Sequence, residues 1–288
     1  MISCSKELKE QGLVVHESIN SESLAKVYSD APKSGSFIYV KKTLKASVSV
    51  DSREELVILI DDLASLDIVL TNPGKINIIH KKGSYSSIII LNNKDVKSQL
   101  QCDLEKDSIA NIFFGIFEGQ KSTLRIDNHL NGEGSEAYVN GVFFSSKTQN
   151  FEITTNSNHN TRNTKGDIVV RGALDGESKV IFKGDIKIIK GAQKTNSFLQ
   201  NHNLLLSKDC ICESVPSLEI DANDVQASHG ATIGRPSDED LFYIMSRGLA
   251  KKQAEKLIIS GFFSKVIDKI GQVDIRNKFE SALSAKVT

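Results

Sequence analysis

Histidine, cysteine and carboxylate side chains carry the chemistry this sequence has to offer, and their spacing narrows what that chemistry is. His229 sits in Ser228-His229-Gly230-Ala231-Thr232. Small neighbours leave the imidazole accessible, and an imidazole titrates near neutrality and ligates metals. The plainer reading is a histidine that only hydrogen-bonds. Cys210-Ile211-Cys212 places two thiols two residues apart. Paired thiolates are weak metal candidates that need further ligands; the competing reading is two ordinary thiols on a strand, on opposite faces or split by a turn. His159 and His202 each lie between asparagines, as residues of polar loops do. Asp127, Glu133 and Glu136 are the carboxylates for glycoside chemistry, which needs two of them about 5–9.5 Å apart. No Trp is present to stack on a sugar ring. The patterns GxxxxGK[ST], HExxH, GxSxG and CxxC are absent, so no nucleotide site and no zinc ribbon is expected.

Three textures must position these residues. Residues 1–35 mix charge with Leu8, Leu13, Leu24, Ala25 and Val27, and are read as an N-terminal segment with a short helix before Ala31-Pro32. Residues 36–234 are short β-branched runs punctuated by Asn, Asp, Gly, Ser and Lys. The clearest alternation is Val180, Phe182, Gly184, Ile186, Ile188, which puts that set on a core face and Lys183, Asp185 and Lys187 in water. Only Arg53–Leu66 accommodates a helix, so a parallel sheet with helical crossovers is disfavoured, each crossover needing about a dozen residues or more. A sandwich, a barrel or a stacked solenoid remains. Asn-rich corners and the scarcity of Pro, 4 in 288 residues, lean toward the solenoid. So does the recurrence of Lys165-Gly166-Asp167-Ile168 as Lys183-Gly184-Asp185-Ile186, 18 residues apart.

Residues 235–288 turn helical. Ser237 reads as an N-cap before Asp238-Glu239-Asp240, acids that suit the positive end of a helix, and Gly248 reads as a terminator. Ala254, Leu257, Ile258, Gly261, Phe262, Val266 and Ile270 form one apolar stripe of a second helix, and Ile275, Phe279, Ala282 and Leu283 that of a third.

The formal net charge is zero, from 36 basic and 36 acidic residues. That balance argues against a nucleic-acid footprint. No apolar run approaches the ~18 residues of a membrane span, and residues 1–7 lack the apolar core of a secretory signal. Neither nucleic acid nor membrane is an expected partner, and the expected location is cytoplasmic, or organellar if a transit peptide has been removed.

Residues 204–248 then carry a resemblance. Leu204-Leu205-Leu206-Ser207, Pro216-Ser217-Leu218-Glu219-Ile220, Asp224-Val225-Gln226-Ala227-Ser228-His229-Gly230-Ala231-Thr232-Ile233-Gly234 and Asp238-Glu239-Asp240-Leu241-Phe242-Tyr243-Ile244-Met245-Ser246-Arg247-Gly248 follow in order. Together with Val180-Ile181-Phe182-Lys183-Gly184 and Ala192-Gln193-Lys194-Thr195-Asn196, this run resembles the SufB/SufD family, the scaffold subunits of the SUF iron–sulfur cluster assembly system. Within it, the B type carries Glu where this chain has Gly230, and a cysteine where it has Asn201-His202-Asn203. The Ser-His-Gly-Ala-Thr form is similar to the D type. Ala227 departs from the Cys common there, and the chain is short against the longer members.

The resemblance implies a mainly β fold: a right-handed parallel β-helix core with a C-terminal α-helical segment and a short N-terminal helical segment. It also implies a non-enzymatic subunit that pairs with a SufB-type scaffold and binds a SufC-type ATPase. Ser228, His229, Gly230, Ala231 and Thr232 would form the scaffold interface, with His229 near iron or a transient cluster shared with the partner. Asp240, Leu241, Phe242, Tyr243, Arg247, Gly248, Leu257 and Phe262 would dock the ATPase. Two alternatives stand beside this reading: a pectin-lyase-like β-helix enzyme acting on carbohydrate, and a homodimer of this chain working without B/D specialisation.

Overall fold

The computed structural model of the protein describes residues 13–16, 36–43, 48–50 and 55–286. From β2 onward successive strands alternate between two sheets. The first holds β1 (Leu13–His16), β2 (Ser36–Val40), β4 (Leu56–Ile60), β6 (Lys75–His80), β8 (Val96–Leu104), β10 (Lys121–Leu130), β12 (Asn150–His159), β14 (Lys179–Ile188) and β16 (Ile211–Ile220), in that order. The second holds β3 (Val48–Val50), β5 (Ser65–Thr71), β7 (Tyr85–Asn92), β9 (Ile109–Ile116), β11 (Glu136–Ser145), β13 (Lys165–Leu174), β15 (Asn196–Leu205) and β17 (Gln226–Gly234). β1 pairs antiparallel with β2. From β2 onward neighbours such as β2 and β4, or β12 and β14, are parallel, so each coil stacks on the last as a β-solenoid. The helix expected before Ala31-Pro32 lies outside the described residues.

The coils widen along the chain. Ser36 lies opposite Leu56, 20 residues on; Asn150 lies opposite Lys179, 29 on; Lys179 lies opposite Ile211, 32 on. The 18-residue recurrence is therefore not the coil period. Lys165 and Lys183 belong to β13 and β14, which lie in opposite sheets. Nor is Arg53–Leu66 helical where it is described. Leu56–Ile60 is a strand buried on both faces, and the chain turns through Asp61-Asp62 into β5. Five consecutive apolar residues need cover on every side, which a strand flanked by core and overlying residues obtains.

One corner shows how the coils register. Leu63, Gly83, Asp107, Gly134, Asn163 and Lys194 all have positive φ, and each precedes a buried small or hydroxyl residue: Ala64, Ser84, Ser108, Ser135, Thr164 and Thr195. In that conformation the amide reaches the next coil. Gly83 N–H donates to Lys106 O at 2.9 Å, Asp107 N–H to Glu133 O at 3.0 Å and Asn163 N–H to Gln193 O at 2.9 Å. The sheet ladder thus continues around the bend. Gly, Asn and Asp adopt this geometry at least cost.

Inside, Val180, Phe182, Ile186 and Ile188 are buried as the alternation requires. Rings fit against glycines one coil on. Phe114 lies over Gly141, where a Cβ would be 2.0 Å from its Cζ, and Phe143 lies over Gly172, where it would be 1.9 Å away. Two histidines also lie in this interior, one of them contrary to the polar-loop reading. His159 closes β12, is fully buried, and contacts Thr164 Oγ1 at 2.8 Å and Ser197 Oγ at 3.1 Å. His80 is likewise buried and contacts Ser86 Oγ at 2.7 Å.

Burial pulls His80 down to about 3 and His159 down to about 4. Free imidazole titrates near ~6.5, so below that pH the unfolded chain takes up protons that the fold refuses. Stability is complete above pH ~6.5 and falls as the solution is acidified. Each histidine is expected to cost about 2 kcal/mol between pH 7 and pH 5. Urea midpoints at the two pH values check this, and His159→Gln should flatten the dependence by about half. A midpoint unchanged at pH 5 would refute it.

Three helices follow the solenoid: α1 (Asp238–Ser246), α2 (Lys251–Ile267) and α3 (Val273–Lys286). Ser237 caps α1, its Oγ accepting from Asp240 N–H at 3.2 Å, and Gly248 adopts φ 94° just beyond its end. α2 and α3 fold back onto the second sheet, where Ile259, Phe263, Val266, Ile267, Phe279 and Leu283 pack on Val69, Ile89, Phe113, Val142 and Phe144. The buried face of α2 thus runs through Ala254, Ile259, Phe263, Val266 and Ile267. It is rotated from the expected stripe and leaves Leu257 53% exposed. Among the described residues no helix is long and apolar enough to cross a membrane.

Candidate functional site

Among the described residues β16 and β17 end their respective sheets, each hydrogen-bonded to one neighbouring strand. The last coil is therefore open, with unpaired backbone groups along both edges. Large apolar residues stand exposed there: Ile211, Val215, Ile220 and Ile233. Ile220 and Ile233 lie in register with the buried Ile188 and Asn203 and so belong to the inward rows left uncovered, whereas Ile211 and Val215 follow Lys179 and Lys183 on the outer face of the first sheet.

His229 lies on β17 opposite Leu199, a buried core residue of β15. It thus takes the inward row of the terminal coil, where no further coil covers it, and it is exposed along with Ser228, Gly230, Ala231 and Thr232. A side chain built at Gly230 would meet no atom within 4 Å. Packing within this chain does not demand glycine there. The floor of the open end is polar. Ser214 Oγ donates to Asn201 Oδ1 at 2.7 Å across the two sheets, and Asn203 Nδ2 donates to the same oxygen at 2.6 Å. Sequence reasoning missed this network, although polar residues at alternate positions Ser197, Asn201 and Asn203 of an otherwise apolar-inward strand were its signal.

Cys210 and Cys212 both pack against the solenoid core. Cys210 stands just before β16 and Cys212 within it, and both turn to the core, so they do not point opposite ways. The Cys210 thiol donates to Ser207 O at 3.4 Å, and burial, then its neighbour Cys210, pushes the Cys212 thiol up to about 12. Burial thus disfavours the thiolate form of Cys212. Among the described residues, no three or more His, Cys, Asp or Glu side chains come together as a metal-binding group. No such group includes His229.

The glycosidase carboxylates do not converge. Asp127 is on the first sheet, held by Arg125 at 2.7 Å and Asn156 at 2.6 Å. Glu136 is on the second, bound by Tyr138 at 2.7 Å and Lys165 at 2.9 Å, and Glu133 sits at a corner beside Arg162 and Asn163. Each carboxylate is engaged locally, and Asp127 and Glu136 belong to different sheets.

A second exposed surface lies on the helices. α1 buries no residue; Phe242 is 75% and Tyr243 60% exposed. Arg247 stacks 5.2 Å from the Tyr243 ring and donates to its hydroxyl at 3.2 Å. Asp240 is exposed and Leu241 half-buried at the start of α1. Beside it, a groove of about 410 Å³ runs between α2 and α3, lined by Leu249, Gln253, Leu257 and Leu283. Phe262 lies outside that groove, half-buried against Arg171 of β13.

The family model described as SUF system FeS cluster assembly, SufBD core domain, matches residues 45–262. An iron-sulfur cluster assembly SufBD family protein of Mycobacterium leprae is 30% identical over 193 residues, covering 64% of this chain and 49% of that protein. The iron-sulfur cluster assembly protein SufD of Bacillus subtilis is 30% identical over 182 residues, 63% of this chain and 42% of its own length. That of Escherichia coli is 33% identical over 139 residues, 48% and 33% respectively. The chain spans about half the length of these relatives or less.

Proposed function

The chain belongs to the SufBD core family of the SUF iron–sulfur cluster assembly system, and we propose that it serves there as a non-catalytic scaffold of the D type. In this reading the open coil mates with a SufB-type subunit, and the C-terminal helices seat a SufC-type ATPase. The observation that carries it is the uncovered end of the solenoid, where two edge strands and the exposed inward-row residues Ile220, Ile233 and His229 occur. A free strand edge is satisfied by a strand from another chain, which supplies backbone hydrogen bonds along its length.

Iron or a nascent cluster is the cargo. Imidazole ligates iron, whereas clusters are held mostly by thiolates. Among the described residues no metal-binding group forms around His229, so the remaining ligands would come from the partner. The exposed Phe242, Tyr243 and Leu257, with Arg247, form the apolar and cationic surface expected to seat the ATPase.

Light scattering on mixtures of this chain with the SufB-type and SufC-type subunits of the same organism tests the reading. A complex containing both scaffolds and the ATPase is expected. Ile233→Asp should abolish scaffold pairing and spare ATPase binding, and Phe242→Asp should do the reverse. Elution of the chain alone as a homodimer, ignoring both partners, would overturn the assignment.

A further inference from the structure

A polar cleft lies on the outer face of the second sheet and shares no lining residue with the open coil or with α1. Its floor is one row. Asp67 of β5, Ser87 of β7, Asn111 of β9, Tyr138 of β11 and Asp167 of β13 are consecutive register partners. Their neighbours Ile68, Ile88, Ile112, Val139 and Ile168 belong to the core, so period two turns the row outward. The turn joining α2 to α3 overhangs it through Lys269, Gly271 and Gln272, and Tyr85 lines it as well. The cleft holds about 650 Å³, the size of a small-molecule site. Four ladder steps, about 19 Å, separate Asp67 from Asp167. The cleft is therefore elongated, with a carboxylate toward each end.

What it offers a ligand is mostly acceptors. Lys269 is the one basic side chain among the described residues lining it, and its Nζ donates to Asn140 Oδ1 at 3.1 Å. Asn111 Nδ2 donates to Tyr85 Oη at 3.1 Å, and Tyr138 Oη donates to Glu136 Oε2 at 2.7 Å. The Gln272 side chain is engaged with Asp67. These donors are used within the chain, which leaves oxygens and two tyrosine rings. Burial raises both carboxyls above the usual carboxylate range; Gln272 offsets this at Asp67, and a backbone bond from Phe198 and the charge of Lys269 offset it at Asp167. Positive charge is thus scarce, above all at the Asp67 end. An anion is unsuited to such a surface. A single metal ion is unsuited too, because the two carboxylates are too far apart to share one, and no metal-binding group forms among the described residues.

We propose that this cleft binds a linear polyamine, with one ammonium at Asp67, another toward Asp167, and the chain between them laid along Ser87, Asn111 and the tyrosines. An ammonium is donor-only, as this set of acceptors requires, and a cation is attracted to the face of a tyrosine ring.

Isothermal titration calorimetry of the full chain with putrescine, spermidine and spermine tests this. Affinity should rise at least tenfold from the diamine to spermine, since the short ligand reaches one carboxylate only. Asp67→Asn should weaken spermine about tenfold, the factor of one hydrogen bond to a charged group. Lys269→Met, which removes the competing cation, should tighten it a few-fold. Glu152→Gln, at an exposed position of β12 in the first sheet, should change nothing. Urea midpoints of the variants show that each is folded. No spermine binding, equal affinity in wild type and Asp67→Asn, or equal affinity for the three amines overturns the proposal. So does displacement of spermine by an equal concentration of Mg²⁺. An oligolysine peptide that binds more tightly than spermine, with the same dependence on Asp67, overturns it in favour of a basic polypeptide segment.

Discussion

His229→Ala is expected to lower cluster assembly at least tenfold in a complex reconstituted from this chain and its SufB-type and SufC-type partners, with complex formation intact. The side chain is exposed and lies on an edge strand, so truncation removes no core contact. Loss of groups that merely support a metal ligand commonly costs about 10–100-fold in metal affinity or activity, and loss of the ligand itself should be no milder. The readout is the absorption of the cluster formed per complex after iron and sulfide are supplied. His129→Ala, at a half-buried position of β10 in the first sheet, serves as the control and should retain assembly. Equal yields from wild type and His229→Ala would remove His229 from the site.

The second large effect is on stability. Gly172→Ala places a methyl group 1.9 Å from Phe143 Cζ and 2.3 Å from its Cε2. The Phe143 ring is fully buried, and β13 is paired on both sides, so neither partner yields easily. Overpacking a core costs about 1–3 kcal/mol, and a clash this close belongs at the upper end. Against a total stability of about 5–15 kcal/mol the variant should show a clearly lower urea midpoint. Phe143→Leu in the same chain should recover part of the loss, a coupling that appears only if ring and glycine share the space. A Gly172→Ala midpoint within error of wild type would mean that the ring does not occupy that position.

Much of this architecture was legible because the solenoid repeats a local rule. Val180, Phe182, Ile186 and Ile188 could be assigned inward from period two alone, and Ser237 and Gly248 bounded α1 through backbone chemistry that acts over a few residues. What failed was decided over longer distances. The 18-residue recurrence joined strands of opposite sheets, because identical surface patterns arise on any outward-facing strand. His159 between two asparagines read as loop, since nothing local records that the next coil and Ser197 will close over it. α2 carries apolar residues on two sides, and only the position of the sheet determines which of them is buried. At the candidate site, the motif located His229 on the chain, and the open coil supplied the reason for its exposure. The Asn201–Ser214 bond, by contrast, joins residues of two strands in different sheets that no periodicity relates.

The widening of the coils has an evolutionary consequence. A turn of 20 residues and one of 32 are not interchangeable modules, since strands of five residues and of ten cannot share a ladder without leaving half of the longer one bare. An extra turn could be spliced in only beside another of its own girth, and none could be lost from the middle without a step in the wall. The gradation also gives the stack a direction. Its broad end presents two ten- and nine-residue edges to another chain, while its narrow end offers strands about half as long. Lengthening or shortening of this protein by whole turns is therefore confined to neighbours of matching width, and a partner fitted to the broad rim has no equivalent seat at the other.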